Sequence, residues 1–361
     1  MRSWPGSRWA FAWRSFRRSS PGWRTRRFSC RRRFRMYRLL ILALCVALPA
    51  LAQVTVVDQA GREVTIAQPP ERVVSLYGVA TLYLYALGVP EKLVLGTYVG
   101  LKPGSPSWSA LSALDPELPE KFSQGKPSLE EVLAREPDLV LASARKDPEA
   151  AEELAPFGIP VLLLFAEDLE GMKSATRLLG RIFDAEARAA KLLSYLEEKV
   201  QAIESLIAEK GLSRPRVLFC GAQPFRVVSG DMYQSEMIAL AGGEPVTKKL
   251  AGSWQDVNAE QVLLWDPEVI FIAPYGKVLP EDILEDPVWQ GVTAARAGRV
   301  YKMPRVFSPW DVPTPESSLG ILWMAMKLHP VPIDLAAEAR SFYRDFYGYE
   351  LPEEFLFQVA K

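Results

Sequence analysis

A fifteen-residue stretch occurs twice in this chain, 130 positions apart, at residues 128–142 and 258–272. Glu130/Glu260, Val132/Val262, Leu133/Leu263 and Pro137/Pro267 are identical, and Glu136/Asp266, Asp138/Glu268 and Val140/Ile270 keep their chemistry. Two copies are too few for a solenoid, which needs three or more stacked units to bury a core. A two-lobed protein with a cleft between similar halves is the architecture this implies.

Each copy reads as helix, stop, buried strand. Ser128 with Glu131, and Asn258 with Gln261, have capping-box spacing, in which the first side chain caps the backbone and the third residue reaches back. The helices then start at Leu129 and Ala259 and stop before Pro137 and Pro267, since proline cannot continue a helix and biases its predecessor toward extended backbone. Glu131 and Gln261 serve the caps, which leaves Glu130 and Glu260 facing solvent. Two readings stand for that pair. It complements the helix dipoles, worth about 0.3–1 kcal/mol each, or it forms one docking carboxylate per lobe for a partner with matching arginines.

Continuous apolar runs at 72–76, 92–96, 138–142, 160–165, 216–220, 269–273 and 299–303 predict strands buried on both faces. Helical segments at 81–87, 129–135, 237–241 and 259–265 lie between them, and such alternation means a mostly parallel sheet in each lobe. Leu169, Met172, Thr176, Leu179 and Phe183 recur at helical spacing and predict a single helical connector, with Gly180 and Asp184 as its weak points. A second helix follows on the second lobe. The fold class is therefore α/β, with two Rossmann-like lobes over 54–166 and 184–330, one connecting helix over 167–183, and a ligand cleft between the lobes. Residues 331–361, with Phe342, Tyr343, Phe346 and Tyr347 on one face, form a helical extension expected to brace the second lobe.

Residues 1–38 contain thirteen Arg, no Lys, no Asp or Glu, and four of the ten Trp, which is not a folding composition. From Met36 the chain reads as an export signal over 36–52: Arg38, the apolar run 39–48, and Ala50 and Ala52 as a cleavage site. The apolar stretch is shorter than the roughly 20 residues that span a bilayer. Residues 1–35 are read most simply as an over-extended start; Arg31, Arg32, Arg33 and Phe34 also fit a twin-arginine signal. Without residues 1–52 the chain keeps 30 basic against 43 acidic side chains, a net charge of −13. An acidic surface argues against nucleic acid or anionic membrane as partner. Cys220 is then the only cysteine, so the fold relies on its core rather than on a disulfide.

With the repeat, the runs ERVVSL at 71–76, ALGVP at 86–90, LAPFGIP at 154–160, IALAGGE at 238–244 and WQDVNAEQVL at 254–263 stand in an order that resembles the class III periplasmic substrate-binding proteins of ABC importers. That group includes cobalamin, ferric-siderophore and haem binders. The resemblance covers about residues 54–330 and implies a periplasmic solute receptor, not an enzyme. It is expected to be monomeric and without cofactor, and to deliver a small-molecule metal chelate to an ABC permease dimer with its ATPase subunits. In that family one glutamate per lobe meets permease arginines, and those positions match Glu130 and Glu260.

In open α/β sheets a ligand lies beyond the carboxyl ends of the strands. The loops found there offer Tyr77, Tyr98, Arg145, Gln223, Phe225, Arg226, Tyr233, Trp254, Arg305, Trp310 and Asp311 as ligand-binding candidates. Aromatic rings supply stacking area for a bulky chelate, and arginines neutralise its acidic groups. The family's opening loop often carries Glu where this chain has Leu82, so that loop's details do not transfer. His329 is the only histidine; at a helix end before Pro330 it suits a surface or capping role, and a naked metal ion is not expected. Two alternatives remain: an oxyanion receptor for molybdate or tungstate, and a two-lobed α/β enzyme. Against the enzyme, no Gly-x-Gly-x-x-Gly follows the first strand and no P-loop is present.

Overall fold

The fold is taken from a computed structural model that describes residues 53–67 and 69–360. The leader and export signal expected over 1–52 lie outside the described residues. Strands β1 (Gln53–Val57) and β2 (Glu63–Ala67) form an antiparallel hairpin that sequence patterning did not flag. Val54 and Val56 point inward while their neighbours face water, the period-two pattern of a half-buried strand. Asp58 fastens the hairpin to the first lobe, accepting from Arg62 N at 2.9 Å and Leu163 N at 3.2 Å.

The first lobe is built on β3 (Val73–Ser75), β4 (Leu93–Gly96), β5 (Leu139–Ser143) and β6 (Val161–Leu164), all parallel, in the order β4-β3-β5-β6. The second holds β7 (Arg216–Cys220), β8 (Arg226–Val227), β9 (Glu244–Pro245), β10 (Gln255–Asp256), β11 (Val269–Ile272) and β12 (Val300–Lys302). Its order is β10-β8-β7-β11-β12, with β9 also on β7. Every apolar run read as a strand is one. The antiparallel ribbon β8–β10 is new, because its two-residue strands carry no readable period.

Local geometry corrects the reading of the repeat twice. The helix Leu129–Ala134 has both arms of its capping box, whereas in the helix Ala259–Trp265 only Asn258 Oδ1 accepts, from Gln261 N at 2.8 Å. Glu131 returns a carboxylate to the backbone; the neutral Gln261 amide gains less at a helix start and makes no return bond. The residues before the prolines are left-handed rather than extended, with φ 47° at Glu136 and 40° at Asp266. Arginines at the head of each sheet hold these turns. Arg72 Nε donates to the carbonyls of Arg135 at 3.0 Å and Glu136 at 3.1 Å, and Arg216 Nη2 to that of Asp266 at 2.8 Å. In return Asp138 and Glu268 accept from the backbone N–H of Arg72 and Arg216, each at 3.0 Å. That latch explains why both copies keep an acid after the proline.

The helix Leu169–Ile182 has 14 residues, about 21 Å long at 1.5 Å per residue, and starts on an Asp168 cap. A turn at Asp184, φ 54°, leads into the longer helix Glu186–Lys210. Gly180 is a packing point rather than a weakness, since a Cβ there would lie 2.6 Å from that of Ala189. The C-terminal helix Leu335–Tyr347 packs on Ser317–Leu328, but also on Gly78–Ala86 of the first lobe, beyond the expected brace. Gly78–Ala86 is buried along nearly its whole length and needs cover on its far side. Arg188 ties the two, donating to the carbonyls of Ala86 at 2.7 Å and Phe346 at 2.6 Å. His329 is buried rather than at the surface, its Nε2 3.1 Å from the Gly242 carbonyl.

Candidate ligand cleft

Loops at the carboxyl ends of both sheets converge on a cleft of about 240 Å³. The first lobe contributes Val79, Val99, Arg145, Lys146, Phe165, Glu167 and Asp168; the second contributes Asp231, Met232, Tyr233, Gln234, Ser253, Trp254, Tyr275, Val312 and Pro313. Trp254 and Tyr275 meet edge to face, with ring centroids 6.3 Å apart, and form the aromatic wall. Gly221 lets that wall approach the sheet, since a Cβ there would lie 2.7 Å from the Trp254 ring.

Polar groups of both signs line the cleft, and most are already engaged. Tyr77 Oη donates to Glu167 Oε1 at 2.8 Å, Asp168 Oδ1 accepts from Gly171 N at 2.7 Å, and Asp231 Oδ2 accepts from Gly252 N at 2.7 Å. The exposed Arg145 guanidinium has no partner among the described residues, which makes it the open cation of the cleft.

The lobes are tied around the cleft. Arg305 Nη2 donates to the Gly100 carbonyl at 2.7 Å and Arg305 Nε to Ser107 Oγ at 3.2 Å. Glu236 Oε2 accepts from Leu169 N at 2.8 Å, so a second-lobe carboxylate caps the connecting helix beside Asp168.

Of the sequence candidates, Arg145, Tyr233 and Trp254 line the cleft. Tyr77 is buried and acts behind it, through Glu167. Tyr98 is withdrawn: its hydroxyl meets Tyr85 Oη at 3.0 Å and its ring stacks on Phe122. Phe225 stacks on Trp289 inside the second lobe, Arg226 pairs with Asp256 at 3.0 Å along the β8–β10 ribbon, and Gln223 is exposed outside the lining. Arg305 is spent on the interlobe tie. Trp310 is fully buried, its indole N–H donating to Tyr343 Oη at 3.2 Å, and is a core residue. Asp311 is fully buried, and the side chains of the lining residues Tyr275 and Gln234 are the donors that face its carboxyl, in contacts too loose to count as full hydrogen bonds. Burial pushes its pKa up to about 7, while Tyr275, Gln234 and Arg305 hold part of that shift back.

Sequence reasoning missed Lys146, Phe165, Glu167, Asp168 and Ser253. The rule about strand ends points to the first four, since they follow β5 and β6, but the sequence pattern places residues 167 and 168 in the connector. Among the described residues, no group of three or more His, Cys, Asp or Glu converges as a metal site.

A family model described as periplasmic binding protein matches residues 73–306. The chain belongs to the periplasmic binding protein family. The molybdate-binding protein MolA of Haemophilus influenzae is 25% identical over 339 residues, 86% of this chain and 95% of that protein. A vitamin B12-binding protein of Pectobacterium atrosepticum is 30% identical over 208 residues, 56% of this chain and 71% of that protein. Among solved structures, a periplasmic solute binding protein from Veillonella parvula superposes with a TM-score of 0.73 at 26% identity, covering 85% of this chain and 97% of that one. The Helicobacter pylori CeuE complex with nickel and histidine superposes at 0.68 and 20% identity, over 85% and 98% of the two chains, and shows the shared fold alone. This periplasmic binding protein thus has the two-lobed, class III architecture of ABC-transporter receptors.

Proposed function

We propose that the chain is an exported receptor that captures a metal chelate, such as a corrinoid, haem or ferric siderophore, and delivers it to an ABC permease. The observation that carries this is the mixed character of the cleft: the Trp254–Tyr275 wall, the open Arg145 cation, and three carboxylates facing the same space. A chelate that seats one edge or one acidic arm in the cleft, with its bulk across the mouth, can satisfy all three features. A bare dianion would meet Glu167, Asp168 and Asp231 unfavourably. Export through the signal at 36–52 and a periplasmic location complete this reading. Isothermal titration of residues 53–361 with vitamin B12, ferric hydroxamate and haem tests it, with binding of at least one expected and refusal of all three overturning it.

Glu130 and Glu260 are the proposed docking pair. Both are exposed, and neither has a hydrogen bond or ion pair among the described residues. Molybdate or tungstate is the second reading, favoured by the similarity to MolA along 95% of that protein and by the open Arg145. Titration with molybdate in the same experiment separates the two.

A further inference from the structure

Asp311 presents a physical problem. A buried carboxylate ordinarily gathers several donors, and an unpartnered one is costly. Glu316, five residues on, shows how this fold satisfies a buried acid, accepting from Phe307 N at 3.0 Å, Ser308 N at 2.6 Å, and the hydroxyls of Ser308 and Tyr343. Asp311 has no such set: only the Tyr275 and Gln234 side chains face it, in contacts too loose to count as full hydrogen bonds. It lies beneath the cleft, next in sequence to the lining residues Val312 and Pro313, with Tyr275 and Gln234 beside its carboxyl. The Tyr275 ring meets Trp254 edge-on and is half-buried, so its hydroxyl can serve either the acid behind it or a ligand in front.

We propose that Asp311 is a positioning residue for Tyr275, and that the pair selects ligands presenting an N–H or O–H donor to the Tyr275 oxygen. This rests on the receptor reading above and deepens it. When Asp311 is ionised it takes the Tyr275 proton as a hydrogen bond, which leaves the phenol oxygen only lone pairs to offer. When Asp311 is protonated it donates to that oxygen, and Tyr275 turns its own O–H toward the cleft, where an oxyanion suits it. Rising pH therefore favours donor-bearing ligands and disfavours oxyanions. Burial places the change near pH 7, and the other groups facing Asp311 are Gln234 and Arg305, of which only Arg305 is charged.

The test measures affinity from pH 5.5 to 8.5 for vitamin B12, whose amides are donors, and for molybdate, with wild type, Asp311→Asn and Tyr275→Phe. The expected result is a roughly five- to tenfold gain in vitamin B12 affinity across the range, the size of one hydrogen bond, and a loss of molybdate affinity. Both slopes flatten in the two variants. A slope that survives in Asp311→Asn, or slopes of the opposite sign, overturns the inference. A second arm needs no ligand: at pH 8, replacing a buried and incompletely solvated charge with a neutral amide raises the thermal midpoint of Asp311→Asn, and a lowered midpoint overturns the inference by showing that the ionised carboxylate is held by more donors than Tyr275 and Gln234. If wild type binds no chelate, the receptor reading fails separately, while the midpoint still decides the state of Asp311.

Discussion

Replacing Glu316 with Ala tests how the cleft is held from behind. Its carboxylate is fully buried and accepts from two backbone N–H groups and two hydroxyls. Removing it allows Ser308 Oγ to rely on Thr314 Oγ1, already 2.8 Å away, and strands Phe307 N, Ser308 N and Tyr343 Oη. An orphaned buried donor costs about 1–3 kcal/mol. Three of them, partly relaxed and offset by the relief of a desolvated charge, give an expected loss of about 3–5 kcal/mol. Urea unfolding followed by circular dichroism measures this. The same loop carries Arg305, Asp311, Val312 and Pro313, so ligand affinity should fall as well. Ile270→Ala, a cavity in the second sheet costing about 2–5 kcal/mol, serves as the control and should leave affinity intact. A Glu316→Ala loss under about 1 kcal/mol, or equal affinity in the two variants, would refute the reasoning.

Charge reversal of Glu130 and Glu260 together should leave ligand affinity and thermal midpoint unchanged and abolish ligand-stimulated ATPase activity of the cognate importer in proteoliposomes. Trp310→Ala should cost about 3–5 kcal/mol as a core truncation, measured by urea unfolding, whereas Trp254→Ala should weaken chelate binding about tenfold or more with little loss of stability. Asp311 has a folded pKa of about 7 against its ordinary 3.8, so its contribution to stability is complete below about pH 4 and is lost as pH rises through 7. Wild type should lose roughly 4 kcal/mol over that window from this group, and Asp311→Asn should show no such loss in pH-resolved urea melts.

The sheets were legible because strands buried on both faces must be continuously apolar, and runs such as 138–142 and 269–273 can be little else. The hairpin β1–β2 was overlooked although Val54, Val56, Val64 and Ile66 alternate with polar neighbours. The β8–β10 ribbon has no signal to find. At the cleft, chain position was a better guide than residue type. Arg145 lines it because it leaves the end of β5, and Trp254 because it enters β10 against Gly221, whereas Trp310, Phe225 and Tyr98 are loop aromatics that are packed. Whether an aromatic turns inward depends on distant partners such as Tyr343 and Trp289, which sequence spacing does not reveal. Arg305 misled for a related reason: its guanidinium finds the Gly100 carbonyl, some 200 residues away. The repeat was legible down to its caps, but the left-handed turns at Glu136 and Asp266 depend on Arg72 and Arg216, which lie outside it.

The central claim is that the cleft between the lobes takes a metal chelate against the Trp254–Tyr275 wall. Isothermal titration of the protein with vitamin B12, ferric hydroxamate, haem and molybdate, repeated on Trp254→Ala, tests it most directly. The account predicts saturable one-to-one binding of a chelate that Trp254→Ala weakens. Saturable binding of molybdate alone, or a chelate bound equally well without Trp254, would contradict it.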